Sequence, residues 1–201
     1  MLYRTKDFEI REALHSKILK DFHSKTDDLV IDELCLEHGK NRIDIAVFSK
    51  FIHGYEIKSS QDNLLRLQPQ LEIYSKSMQK LTFVVAENHL DQVIQEVPQW
   101  CGIILVCKGT RGAINFKKIR RALLNPNIET FSLAHLLWRN EAVDLLKDKG
   151  FSNKTLTYSK KDLYRIIADT YPSKQLIEII KIKLKSRETW RVDPLLLSYD
   201  G

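Results

Sequence analysis

The sequence predicts an α/β fold with a mixed central sheet flanked by helices and a helical, basic C-terminal region. Three observations carry this. Leu81–Ala86 (LTFVVA) and Gly102–Cys107 (GIILVC) are continuous apolar runs, each preceded by a helical pattern. Runs of this kind belong to strands covered on both faces and paired in parallel across strand-helix-strand crossovers. Arg42–Phe48 and His53–Lys58 are separated by a short connector, Ser49-Lys50-Phe51-Ile52, which calls for an antiparallel hairpin. From Asn125 onward the pattern is helical.

In chain order, Thr5 is placed to cap a first helix whose apolar stripe is Ile10, Leu14, Ile18 and Phe22. Asp27 and Asp28 mark a turn, and Val30–Leu36 is the first strand candidate, ahead of the hairpin. A helix follows over Leu64–Met78. Pro69 lies inside it and removes a backbone donor, so it either starts the main helix or kinks it. The strand Leu81–Ala86, a short helix Leu90–Val97 stopped by Pro98, and the strand Gly102–Cys107 complete the core, with one further short strand near Ala113–Phe116. Helices are expected over Phe131–Trp138, Glu141–Lys149, Ser159–Thr170 and Ser173–Lys185, with Ser159 and Ser173 as N-caps. Asn125-Pro126-Asn127 is the linker candidate, which divides the chain into a core, 1–124, and a helical basic region, 125–201.

Composition narrows the class. The 201 residues are 43% hydrophobic and 29% charged, which suits a folded globular chain with a real core. No apolar run approaches the roughly 18 residues of a membrane span, and the charged N-terminus has no signal-peptide character. Cys35, Cys101 and Cys107 show no CxxC spacing and are expected to be reduced core residues of a cytoplasmic protein. The net charge of +6 is uneven: residues 1–110 hold 14 basic against 16 acidic side chains, and residues 111–201 hold 18 against 10. A basic half suits a polyanion such as DNA, and equally a solvated helical surface.

The chemistry concentrates in RIDIAVFSKFIHGYEIK, residues 42–58. Strands resist charge, yet Asp44, Glu56 and Lys58 lie inside strand-like runs. Residues i and i+2 share a strand face, so Glu56 and Lys58 point the same way with Ile57 turned into the core. Asp44 joins them if the hairpin pairs residues whose numbers add to an even value; an odd register would send it to the other face. Two carboxylates on one face need a cation between them. Mg²⁺ or Mn²⁺ fits, taking carboxylate, carbonyl and water oxygens, with the Ile57 carbonyl as a further ligand, while sharing a substrate phosphate. Lys58 would hold or deprotonate the attacking water. His38 and His53 flank these strands without zinc-type spacing and are expected to be structural or exposed. Ser59 and Ser60 have no His-Asp partner pattern, which argues against a serine hydrolase.

Asp44, Glu56 and Lys58 resemble the core motif of the PD-(D/E)XK nuclease superfamily, with Ile43 where a Pro is usual. Gln70 and Tyr74, one helical turn apart, are similar to the Gln-x-x-x-Tyr element of its RecB-like branch. More narrowly, EHGKNRIDIAVF and HGYEIKSSQDNLLRLQPQLEIY look like a small bacterial family of that superfamily, closely over about residues 30–100 and more loosely into LLWRNEAVDLL and KSRETWR. The resemblance implies a restriction-endonuclease-like fold and a metal-dependent deoxyribonuclease, or a nucleic-acid-binding module that no longer cuts; a homodimer is compatible with either. It implies supporting and DNA-contacting roles for Gln70 and Tyr74, whose plainer reading is core packing. It implies a further acid in the metal shell, Glu33 or alternatively Glu12. Asp62 could cap the following helix and Arg66 could touch a phosphate. The basic clusters at Lys117–Arg121, Lys160-Lys161 and Lys181–Arg187 suit a general polyanion surface or a soluble helix, and Trp190 with Arg191 suits either nucleic-acid stacking or anchoring of the last helix.

Overall fold

The computed structural model describes residues 4–109 and 111–187, apart from the side chain of His38. Trp190 and Arg191 lie outside the described residues, as does the His38 side chain. Among the described residues six strands form one sheet: β1 (Leu29–Leu36), β2 (Asn41–Phe48), β3 (Ile52–Lys58), β4 (Lys80–Ala86), β5 (Gly102–Lys108) and β6 (Ile114–Arg120), in spatial order 1-2-3-4-5-6. β1/β2, β2/β3 and β5/β6 pair antiparallel, and β3/β4 and β4/β5 pair parallel. The parallel pairs are those bridged by α3 (Leu67–Ser77) and α4 (Leu90–Glu96), as crossovers require. The expected mixed α/β architecture is therefore the observed one.

Both sheet faces are covered. On one, Phe48, Leu81, Phe83 and Val85 pack with Leu67, Leu71 and Tyr74 of α3 and with the C-terminal helices. On the other, Ile45, Val47, Tyr55, Ile57 and Val84 pack under the N-terminal helical segment. Gly54 fits this crowding: a Cβ there would come within 2.2 Å of Ile43 Cδ1.

The first helical segment departs from its predicted stripe. α1 (Asp7–Ala13) runs into a π-helical turn (Leu14–Ile18), where Leu19 N–H donates to Leu14 O at 2.8 Å, followed by the short α2 (Lys20–His23). The wider turn inserts one residue. Ile10 and Leu14 are buried as expected, but Leu19 is buried in place of Ile18, which is 37% exposed. Thr5 caps nothing. It clasps the loop after β3, with Thr5 N–H donating to Ser60 Oγ and Ser60 N–H to Thr5 Oγ1, and Lys6 is the N-cap.

Other boundaries follow local chemistry. Pro69 is the third residue of α3, where a missing N–H breaks no helical bond, so it starts the helix without a kink. Asp62 does not cap α3: its Oδ2 accepts the Ser59 N–H at 2.7 Å and closes the intervening turn. β6 is longer than expected and carries Lys117 and Lys118 on an exposed edge, where charge discourages further pairing. Cys101 is buried, but Cys35 is half-buried and Cys107 exposed, because Cys107 alternates away from buried Val106; all three are free.

The region after 124 contains α5 (Thr130–Ala134), α6 (Arg139–Asp148), α7 (Asn153–Leu156), α8 (Lys160–Thr170) and α9 (Ser173–Ser186). The expected linker is a docked strap, since Asn125 Nδ2 donates to Ser75 O and Met78 O at 2.6 and 2.8 Å. Leu133, Leu163, Ile167, Leu176 and Ile180 belong to the same apolar cluster as the α3 face of the sheet. The Lys181–Arg187 run is largely structural: Lys181 donates to Ser49 O, Lys185 to Thr26 O, and Arg187 to Glu141 and Leu136 O. Ser159 caps α8, its Oγ accepting the Asp162 N–H, whereas Ser173 is the first residue of α9 and its hydroxyl pairs with Thr130. Ser159→Ala is accordingly expected to cost about 1 kcal/mol in thermal or urea unfolding. Pro172→Ala, at the uncapped start of α9, removes no cap bond and serves as the comparison.

Candidate active site

The hairpin register decides where the three charged strand residues stand. β2 and β3 pair Ile45 with Tyr55, Ala46 with Gly54 and Val47 with His53, so paired numbers add to an even value. Continued by one pair, that register sets Asp44 opposite Glu56. The ladder stops at Ile45/Tyr55, and beyond it Asp44 Oδ2 accepts the Ile57 N–H at 2.6 Å in place of a backbone carbonyl. The Ile57 group that meets Asp44 is thus its N–H.

Glu56 and Lys58 face α3, which lies against that side of the sheet. Lys58 Nζ donates to Glu56 Oε1 at 2.8 Å and to Gln70 Oε1 at 2.9 Å. The Tyr74 hydroxyl lies 2.8 Å from Glu56 Oε2 and 2.7 Å from Arg42 O. Gln70 and Tyr74 stand one turn apart on the same helix and reach the same two side chains. Glu56, Lys58 and Gln70 are buried and Tyr74 is fully so. Tyr74 therefore has both a ring in the core and a hydroxyl in the network.

Glu33 reaches the site by a backbone exception. β1 pairs Asp32 with Ile45 and Leu34 with Ile43, which leaves Glu33 opposite Asp44. Its φ is +54°, the left-handed region, a conformation that costs a residue with a side chain on the order of 1–3 kcal/mol. Its carboxylate meets Arg11 of α1 at 2.7 Å. The same guanidinium donates to Asp44 O at 2.6 Å and Asp44 Oδ1 at 3.1 Å, and to Asp7 at 3.2 Å. Glu12 is exposed and Arg66 is exposed. His53 is held by Thr82 and stacked on Tyr55, and burial depresses it to about 3, so it is a structural histidine.

Arg11 is the site residue that the sequence did not single out. The signal available was its place beside buried Ile10, four residues after Asp7. Its partners in β1 and β2 are tertiary, and helix spacing does not reveal them.

The charges are unbalanced. Asp7, Glu33, Asp44 and Glu56 share two cations, Arg11 and Lys58. Burial, reinforced by the Glu56 carboxylate, pushes Asp44 up to about 8. Burial also pushes Glu56 up, against the opposing pull of Lys58 and Tyr74. Such a pair of oxygen donors fits a hard divalent cation, because Mg²⁺ is held by one or two carboxylates and completes its shell with water and phosphate oxygens. Asp44 and Glu56 are carboxylates of the type such an ion takes, each of their oxygens accepting a protein hydrogen bond in this structure, while Glu33 is turned onto Arg11. Among the described residues no three His, Cys, Asp or Glu side chains are grouped so as to hold a metal by themselves.

Fold and site together define a mixed α/β protein with a buried acid–lysine centre between a strand hairpin and the helix that follows it. The chain belongs to the family described as Bacteriophage P4 protein cII, which it matches over residues 4–193. Protein cII of Enterobacteria phage P4 is 26% identical over 164 residues, covering 81% of this chain and 60% of that protein. The chain thus spans about three-fifths of that relative's length. SPO1766, a protein of unknown function from Silicibacter pomeroyi, has a TM-score of 0.37 and 16% identity over 53% of this chain and 64% of its own. Among the described residues no helix is long and apolar enough to cross a membrane.

Proposed function

We propose that this chain is a Mg²⁺- or Mn²⁺-dependent phosphodiesterase of the PD-(D/E)XK type that acts on DNA. The observation that carries the reading is the buried Glu56–Lys58–Gln70–Tyr74 network beside Asp44, with each residue type at the motif position the sequence resemblance assigns. Asp44 and Glu56 would hold the cation; the chemistry it supplies when bound is neutralisation of the scissile phosphate and polarisation of a water. Glu56 Oε1 and Gln70 Oε1 take two of the three Lys58 ammonium protons and fix the nitrogen. The third remains for a water or a phosphate oxygen. Tyr74 holds Glu56 in place from the other oxygen. Exposed Lys117, Lys118 and Arg121 add positive charge suited to a phosphate backbone. A cytoplasmic location, and a dimer where both strands are cut, accord with this reading.

The test is incubation of the purified protein with single-stranded, duplex, branched and flapped DNA, with and without Mg²⁺ or Mn²⁺. Cleavage should require the metal and fall to background in Asp44→Ala and Lys58→Met. Intact DNA on all four substrates in both metals overturns the enzymatic reading.

One observation favours the same scaffold as a binding module without turnover: both oxygens of Asp44 and both of Glu56 already engage protein donors, Arg11 among them. That module would bind DNA in a salt-dependent way, and binding would survive Asp44→Ala.

A further inference from the structure

We infer that Arg11 is the resident cation of the Asp44 carboxylate, an arm of the N-terminal helix that gives up Asp44 when a divalent ion is taken up there. The inference rests on the metal reading proposed above and adds to it the residue that controls entry. The guanidinium bridges three acids. Nη1 donates to Asp44 O at 2.6 Å and Nη2 to Asp44 Oδ1 at 3.1 Å; Nη2 also lies 2.7 Å from Glu33 Oε1, and Nε donates to Asp7 Oδ1 at 3.2 Å. These partners differ in depth. The Asp44 side chain is 19% exposed, whereas those of Asp7 and Glu33 are 44% and 47% exposed. One carboxylate therefore belongs to the centre and two to its rim.

Arg11 and a divalent ion compete for one oxygen. Asp44 Oδ2 accepts the Ile57 N–H, which leaves Oδ1, the atom Arg11 holds. An ion about 2.0–2.1 Å from Oδ1 would stand roughly 4–5 Å from Arg11 Nη2, and like charges that close repel, the more so away from bulk water. Uptake at Asp44 is therefore an exchange of one cation for another.

The rim acids give the displaced guanidinium somewhere to go. Asp7 lies one helical turn before Arg11 and Glu33 reaches it from β1, so an Arg11 that leaves Asp44 stays paired. Ile10 and Leu14, on either side of Arg11 in sequence, are buried, so α1 remains docked while the side chain swings. The left-handed backbone at Glu33 gains a purpose, because what its strain secures is this pairing with Arg11. Arginine suits the arm better than lysine: its planar fork of donors spans several acids at once, and an ammonium on a flexible stem does not.

The experiment is an NMR titration of the isotope-labelled full chain with Mg²⁺, reading two groups at once. The Ile57 amide, bonded to Asp44 Oδ2, reports arrival of an ion at Asp44. The Arg11 Nε–H, assigned by its loss in Arg11→Lys, reports the arm. Both should shift along one saturation curve. A shift at Ile57 with Arg11 unmoved overturns the exchange and leaves the metal reading standing. No shift at Ile57 overturns the metal reading, and the exchange with it. Calorimetric titration with Mn²⁺ supplies the second measurement: Arg11→Gln and Arg11→Lys should each bind the ion at least about tenfold more tightly than the wild type. Arg11→Lys keeps the charge, so a gain there is owed to the lost contact. Affinity unaltered or weakened in both variants overturns the exchange. Circular dichroism checks that each variant is folded, and the wild-type titration decides even where one is not.

Discussion

Lys58→Met is expected to destabilise the fold by about 3–5 kcal/mol near neutral pH, read as a lower urea midpoint with an unchanged slope. The side chains of Lys58 and Glu56 are 9% and 3% exposed and meet at 2.8 Å. Removing the cation leaves a buried carboxylate whose remaining side-chain donors, Tyr74 and Gln70, are neutral, and it strips Gln70 Oε1 of its partner. Both losses carry the full desolvation cost of the orphaned group. Methionine keeps the stem's volume, so a cavity contributes little. Two controls isolate the charge. The double variant Glu56→Gln/Lys58→Met should recover most of the loss, because no buried charge remains. Acidification should shrink the cost of Lys58→Met alone, because the Glu56 carboxyl, already held above the ordinary range by burial, then takes up a proton. A loss below about 1 kcal/mol at neutral pH, or a double variant no better than the single one, would contradict a buried ion pair.

The elements that place this pair were legible because their causes are local. Apolar continuity marked β4 and β5, the short connector marked the hairpin, and Glu56-x-Lys58 had to share a face once β3 was a strand. The hairpin register adds to an even value, as a shared face for Asp44 requires, although Arg11 reaches the Asp44 carboxylate from the N-terminal helix. What the sequence did not reveal depends on tertiary packing. Whether Ile18 or Leu19 is buried turns on a π-helical insertion that four-residue spacing does not encode. The left-handed backbone at Glu33 has no glycine to announce it. Arg11 gains its role only when α1 lies across β1 and β2. Ser173 has the residue type of a cap, but Pro172 takes that position and Thr130 competes for the hydroxyl.

The metal-free protein is expected to lose stability as pH rises from about 4 to about 8. The folded Asp44 carboxyl titrates at about 8, against an ordinary value of 3.8, so between those limits the native state holds a proton that the unfolded chain has released. Stability falls with pH wherever the native state binds more protons. This contribution is complete below about 4, where both states are protonated, and is lost by about 8, where both are ionised. Glu56 is displaced in the same direction, also chiefly by burial, and adds to the slope. One unit of displacement corresponds to about 1.4 kcal/mol, so the loss is on the order of several kcal/mol across the window. Urea unfolding at intervals of pH, in the presence of a chelator, measures it. Asp44→Asn should flatten the profile and exceed the wild type in stability at pH 8, which is the sign expected when a group is kept for function at the expense of the fold. A profile that rises across the window, or one that Asp44→Asn leaves unaltered, would show that Asp44 is not a buried carboxyl short of positive charge. Adding Mn²⁺ at pH 8 should stabilise the wild type and leave Asp44→Asn unmoved, because a ligand stabilises only the state that binds it. The same carboxyl that weakens the metal-free fold would then be the group through which a cation strengthens it, linking the cost of burying Asp44 to the role proposed for it.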